Sequence, residues 1–285
     1  MNKNIQTFIG CKGEYEDSKI VIFGAPFDGT TSYRPGTRFA PSRMRSESEY
    51  AIESYSPYLN LDLTDYSIFD GGDLELPYGN AQKVIDIIEN YVEKLLKDDK
   101  ICCMIGGEHL VTLGAVKAYA KHFDNLHIVH FDAHADLRDE YLGEKLSHAT
   151  VMRRCWELVG DNRIFQFGIR SGDIQEFNWG RKHVETHMFD FAGISTLKEK
   201  IKENPVYLTI DMDVMDPSEF PATGTPEAGG VTFKELLWAL SHLNGLNIVG
   251  FDLVELSPPN DTTGISTALA CKLLRELLLQ VMSNS

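Results

Sequence analysis

The chain has 285 residues, 43% of them apolar and 24% charged, enough to bury the core of one large α/β domain or two small ones. Its 27 Lys and Arg stand against 42 Asp and Glu, and the net charge of −15 weighs against nucleic acid and anionic membrane surfaces as partners. No apolar run approaches the roughly 20 residues of a membrane span, residues 1–19 lack a signal-like apolar stretch, and the odd number of cysteines without a Cys-x-x-Cys pair fits a reducing cytoplasm.

Short β-rich runs alternate with amphipathic ones along the chain. The first predicted strand, residues 19–24, leads into an irregular stretch, 28–46, and a second strand follows at 66–70. Val84, Ile85, Ile88 and Val92 repeat at helical spacing within 81–96. Strand 101–105 carries Cys102 and Cys103, read as packing residues, and ends at Gly106-Gly107-Glu108-His109 before a helix over 110–122. Strand 126–131 ends at Asp132-Ala133-His134-Ala135-Asp136, and a helix is predicted over 147–159. Strands at 163–167, 185–189 and 206–210 come next, the last ending at Asp211-Met212-Asp213 and a long loop to Val231. Helix 233–243, strand 247–253 and helix 267–282 complete the series. Several strands are apolar on both faces, as in parallel sheets covered by helices, so one α/β domain over residues 1–285 with about eight parallel strands is expected. Alternation alone does not separate a closed barrel from an open sheet, although the two irregular segments favour the open form.

Three of these strand ends carry His109, Asp132, His134, Asp136, Asp211 and Asp213. Strand ends of a parallel sheet converge on one edge, where four uncompensated carboxylates would repel and raise one another's pKa values. Two divalent cations remove that repulsion. In Asp132-x-His134-x-Asp136 alternate residues would face one side of an extended segment, and the glycines before His109 would permit a tight turn. Carboxylate and imidazole donors without thiolate suit Mn²⁺, Mg²⁺ or Fe²⁺ better than structural zinc. Taken singly each stretch is an ordinary turn; taken together they describe a two-metal hydrolase.

These three stretches, with Pro221-Ala222-Thr223-Gly224-Thr225-Pro226 and Asp252-Leu253-Val254-Glu255, resemble the ureohydrolase family of arginases, agmatinases and their relatives. The resemblance spans essentially the whole chain and implies a three-layer α/β/α sandwich. Ala25-Pro26-Phe27-Asp28, Tyr33-Arg34-Pro35-Gly36-Thr37-Arg38, Asp136-Leu137-Arg138 and Leu146-Ser147-His148-Ala149-Thr150 are most similar to the bacterial agmatinase branch. The resemblance implies two Mn²⁺ per chain, one held by His109, Asp132, Asp136 and Asp211, the other by Asp132, His134, Asp211 and Asp213. It further implies agmatine as substrate, cleaved to putrescine and urea, and a homo-oligomer, trimer or hexamer.

Under that resemblance Asp136 also orients the attacking water, Glu255 accepts the guanidinium, and His148, in a flexible-looking loop, passes a proton to the leaving amine. Asp173 is a weaker candidate for contacting the distal amine. Arginases typically carry Asn where this chain has Arg138, which leaves guanidinobutyrate or arginine as alternative substrates. A non-catalytic regulator of polyamine metabolism would have lost some of these residues. The remaining histidines, His130 among them, are read as structural or surface residues.

Overall fold

Eight parallel strands form one open sheet at the centre of the computed structural model, which describes Met1 and residues 4–284. In chain order the strands are β1 (Ile20–Ala25), β2 (Tyr55–Ser56), β3 (Leu61–Asp62), β4 (Ile68–Asp73), β5 (Ile101–Gly106), β6 (His127–Phe131), β7 (Ile164–Ile169), β8 (Glu185–Met188), β9 (Val206–Asp211) and β10 (Ile248–Val254). Strands β2 and β3 form a separate antiparallel pair. The large sheet runs β4-β1-β5-β10-β9-β6-β7-β8, with β4 and β8 as its two outer strands, so it is no barrel. All eight strands expected from the sequence are present.

The helices are α1 (Ala40–Ala51), α2 (Ala81–Lys97), α3 (Val111–His122), α4 (Val151–Val159), α5 (Ile174–His183), α6 (Leu197–Ile201), α7 (Phe233–His242) and α8 (Ile265–Ser283). They cover both faces. Ile20 and Ile22 of β1 pack into one apolar layer with Met44 of α1, Leu236 of α7 and Leu274 of α8. Val21 and Phe23 of the same strand pack with Val84 of α2, Val116 of α3 and Met152 of α4. This period of two makes the sheet the middle layer of a three-layer α/β/α sandwich. Cys102 and Cys103 divide between the two layers, and all five cysteines are buried and unpaired.

Three helices differ from expectation. The segment read as irregular runs into α1, which buries Arg45 and Ser48 beside Met44 and so shows no apolar period. Helix α5 buries only Glu176 and Gly180, leaving its Asp173/Glu176 capping box as the sole local signal. Helix α6 has five residues, too few for a pattern. The predicted helix over 147–159 starts as a 3₁₀ turn, His148–Thr150, ahead of α4.

Candidate metal centre

The four central strands, β5, β10, β9 and β6, are neighbours, and their C-terminal ends carry every proposed ligand. Beyond β5, a Cβ on Gly107 would stand 1.9 Å from the Phe27 carbonyl oxygen, so only glycine permits this approach. Glu108 N–H donates to that same oxygen at 2.7 Å. His109 follows in the turn before α3, as expected, and its N–H donates to Glu255 Oε1 at 2.7 Å. Glu255, just past β10, has φ 66°, an unusual conformation for a non-glycine residue. Its own N–H is bound to the Gly107 carbonyl at 2.9 Å.

Beyond β6, His134 makes an isolated bridge to Ser171, and Asp136 turns into the left-handed region at φ 53°. The expected even alternation therefore stops before Asp136; a backbone turn aims that carboxylate inward. After β9, Asp211 Oδ1 accepts from Asp213 N–H at 2.8 Å, and Asp213 Oδ1 accepts from Ala133 N–H at 3.0 Å. Arg170, which the sequence did not single out, donates to the carbonyls of Asp213, Val214 and Glu227, stitching the loop behind Asp213 to the end of β7.

The six side chains converge. His109 Nδ1 lies 3.0 Å from Asp132 Oδ2 and 3.3 Å from Oδ2 of both Asp136 and Asp211. His134 Nδ1 lies 2.9 Å from Asp213 Oδ2 and 3.5 Å from Asp132 Oδ1. Donor atoms of His109, His130, Asp132 and Asp136 fall within 4.8 Å of one another, as do those of Asp132, His134 and Asp213, so Asp132 belongs to both sets. Yet His109 Nδ1 and Asp213 Oδ2, both buried, form no hydrogen bond.

The tautomer of His109 explains why. Thr209 Oγ1 donates its one proton to Asp252 Oδ1 at 2.6 Å, so at 3.0 Å from His109 Nε2 it can only accept. Nε2 then carries the ring proton, and Nδ1 turns its lone pair toward three carboxylate oxygens. Negative ends crowded around one point fit a cation there. The electrostatics agree: burial and then Asp132 push Asp136 up to about 7, while burial and then Asp213 hold Asp211 well above the usual carboxylate range. Burial raises Glu255 as well, with Glu108 adding to it. Where no cation stands between them, Asp132, Asp136 and Asp211 hold His109 well above its ordinary value against burial, so that a proton on Nδ1 takes the place a cation would fill. The donor set fits two divalent cations, which would replace these shared protons.

His148 sits at the mouth in a cleft of about 150 Å³, lined also by His134, Asp136, Arg138, Tyr141 and Glu176. Far from flexible, its turn is fastened by a Ser147/Thr150 capping box, and its N–H donates to Thr30 Oγ1 at 3.1 Å. That hydroxyl donates in turn to the buried Glu108 at 2.6 Å. Burial and then the neighbouring His134 lower the His148 imidazole to about 4. Arg138 Nε donates to Glu176 Oε2 at 3.1 Å, and its guanidinium lies over the Tyr141 ring. Asp173 caps α5 through Oδ1 and lines an adjoining cleft with Glu140, Arg153 and Trp179 rather than the one His148 lines. Its Oδ2 lies 3.8 Å from Arg138 Nε.

Sequence reading passed over His130, which is fully buried with Nε2 2.8 Å from Asp132 Oδ2. The available signal was its position two residues before Asp132 on an expected strand, hence on the same face. Thr209 carries the same signal, two residues before Asp211 on the strand expected at 206–210, whereas Glu108 and Thr30 left no such trace.

Comparison with known proteins agrees with this site. The family model described as "Arginase family" matches residues 18–280. An agmatinase from Bacillus cereus is 47% identical over 279 residues, 96% of each chain, and a guanidinobutyrase from Pseudomonas aeruginosa is 36% identical over 93% of this chain and 87% of its own. The crystal structure of a candidate agmatinase from Clostridium difficile superposes with a TM-score of 0.91 at 50% identity, covering 95% of this chain and 99% of the other.

Proposed function

Because the chain belongs to the arginase family, we propose that residues 1–285 act as one domain hydrolysing agmatine to putrescine and urea, a step of polyamine formation, with two Mn²⁺ bound. The observation that carries this reading is the convergence of four carboxylates and two imidazoles from the ends of three strands, β5, β9 and β6, in a chain 47% identical to an agmatinase. When bound, the metal pair would supply Lewis acidity that makes water nucleophilic at neutral pH. His109, Asp132, Asp136 and Asp211 would hold one ion and Asp132, His134, Asp211 and Asp213 the other.

The remaining steps fall to the protein. Asp136 accepts a hydrogen bond from the attacking water and aims it. Glu255 offers a carboxylate whose two oxygens match the planar guanidinium; its left-handed backbone turns it toward the site from the end of β10. His148, neutral at pH 7, is free to take up the proton released by the attacking water and to hand it to the leaving amine. Asp173, with Oδ1 committed to its cap and Oδ2 3.8 Å from Arg138 Nε, would have to release Arg138 to meet the distal ammonium, and is the weakest of these assignments.

A substrate carboxylate would need Arg138, and Arg138 already faces Glu176. That pairing favours agmatine over guanidinobutyrate and arginine. The test is urea release by Mn²⁺-loaded protein with the three compounds side by side. Preference for agmatine supports the assignment; preference for a guanidino acid overturns it and makes Arg138 the carboxylate reader.

A further inference from the structure

Beneath the proposed ligands, one rung of the sheet is polar from strand to strand. His130 on β6 is in register with Gln166 on β7 and with Thr209 on β9. Gln166 pairs in turn with Thr186 on β8, and Thr209 with Asp252 on β10. His130, Gln166, Thr209 and Asp252 are fully buried. A buried polar rung costs stability unless every member is satisfied, so the direction of its hydrogen bonds can be worked out.

Gln166 fixes the first direction. Its Nε2 lies 2.8 Å from the Ala135 carbonyl, which only accepts, and its Oε1 accepts from Thr186 Oγ1 at 3.0 Å. The same Nε2 lies 3.0 Å from His130 Nδ1. Being a donor, it makes Nδ1 the acceptor nitrogen, so the ring proton belongs on Nε2, 2.8 Å from Asp132 Oδ2. The rings of His130 and His109 are 5.1 Å apart, yet their surroundings impose opposite duties. His109 presents a lone pair to the centre; His130 presents an N–H to a carboxylate.

We propose that His130 is a positioning residue, held as the Nε2–H tautomer by the Gln166–Thr186 chain, that fixes the Asp132 carboxylate shared by the two metal positions and is not itself a ligand. Resting on the two-metal reading above, this assigns the chain Thr186–Gln166–His130 to the site's affinity for metal. Outer hydrogen-bond partners of metal ligands are typically worth ~10- to 100-fold in affinity or activity. The effect is delivered through the orientation of Asp132, so it should appear in binding whether or not substrate is present.

The experiment is Mn²⁺ titration of metal-free protein, wild type against His130→Phe and His130→Gln. Phenylalanine removes the donor; glutamine can place an amide N–H where Nε2 stood. The expected result is Mn²⁺ binding weakened ~10- to 100-fold in His130→Phe and largely recovered in His130→Gln, with two ions still bound at saturation. Binding by His130→Phe as tight as wild type, or His130→Gln as weak as His130→Phe, overturns the proposal. Loss of one whole ion in His130→Gln does so too, because it makes His130 a ligand. Should His130→Phe fail to fold, two readouts decide. Ring ¹⁵N shifts of metal-free wild type should show Nδ1 unprotonated, and Gln166→Leu should weaken Mn²⁺ binding; a protonated Nδ1 or unchanged binding refutes the idea. A wild-type chain that takes up no Mn²⁺ would instead sink the two-metal reading.

Discussion

The two poles of the candidate site are built differently. Around His109 the pole is dry: the imidazole is 1% exposed, three carboxylate oxygens surround Nδ1, and Thr209 with Asp252 fixes the ring from behind. Around His134 it is open, with that side chain 25% exposed and the cleft holding His148 in front of it. One pole is set by packing against the sheet, the other by loops that reach it from β6 and β9. Under the proposed function the contrast gives them different work: the inner pole would hold charge in a fixed geometry, and the outer one would meet solvent and substrate.

The largest effect should come from removing what the poles share. Asp132→Ala or Asp211→Ala should lower urea release by about a thousandfold or more, the scale of several kcal/mol of metal assistance, and metal analysis should find both ions weakened. Loss of one ion alone would dissolve the idea of a shared carboxylate.

Next, the poles can be broken separately. His134→Ala should weaken one Mn²⁺ by at least about a hundredfold, above the range typical for outer-shell partners, while the other stays bound. His109→Ala should cost an ion and in addition lower the melting temperature, because it empties a packed site. Equal changes in stability would erase the distinction between dry and open.

His148→Ala tests the open side without touching the ligands. Turnover should fall about a hundredfold, the usual worth of a positioned proton carrier, with Mn²⁺ content unchanged; lost manganese would reassign His148 to the metal site.

The smallest effect concerns Asp216, which anchors the loop behind the outer Asp213. Hydrogen bonds from Ser218 and from the amides of Gly229 and Gly230 lower its carboxyl to about 2. Its contribution is therefore present above the ordinary carboxyl pKa and lost as pH falls toward 2. Asp216→Asn should reduce the melting temperature of metal-free protein by about 2 °C at pH 7, and the gap to wild type should close between pH 4 and pH 2. A gap independent of pH would show that the charge is irrelevant there.

Much of the frame was legible in one dimension because it rests on local rules. Strands such as β5 and β9 are apolar on both faces, and helix α2 shows a clear 3.6 period. The proposed ligands lie at the ends of such strands in short polar stretches. Helix α1 escaped because Arg45 and Ser48 occupy its buried face, where Asp70 on β4 pairs with the arginine. Helix α5 escaped because its buried side is Glu176, which receives Leu137 N–H and Arg138. In both cases the partner that makes a polar residue stable inside lies on another element.

The same reason divides sequence from structure at the site. By itself the chain determined its eight strands, its helix-covered sheet and the six side chains suited to two cations, since periodicity and donor chemistry are carried by neighbours in sequence. Only the tertiary structure decided that β5, β10, β9 and β6 stand side by side, that Asp136 is aimed by a left-handed turn, and that His109 and His130 offer opposite faces of the imidazole. Strand order and hydrogen-bond direction depend on residues far apart in the chain, and a tautomer is fixed only once all its partners are in place.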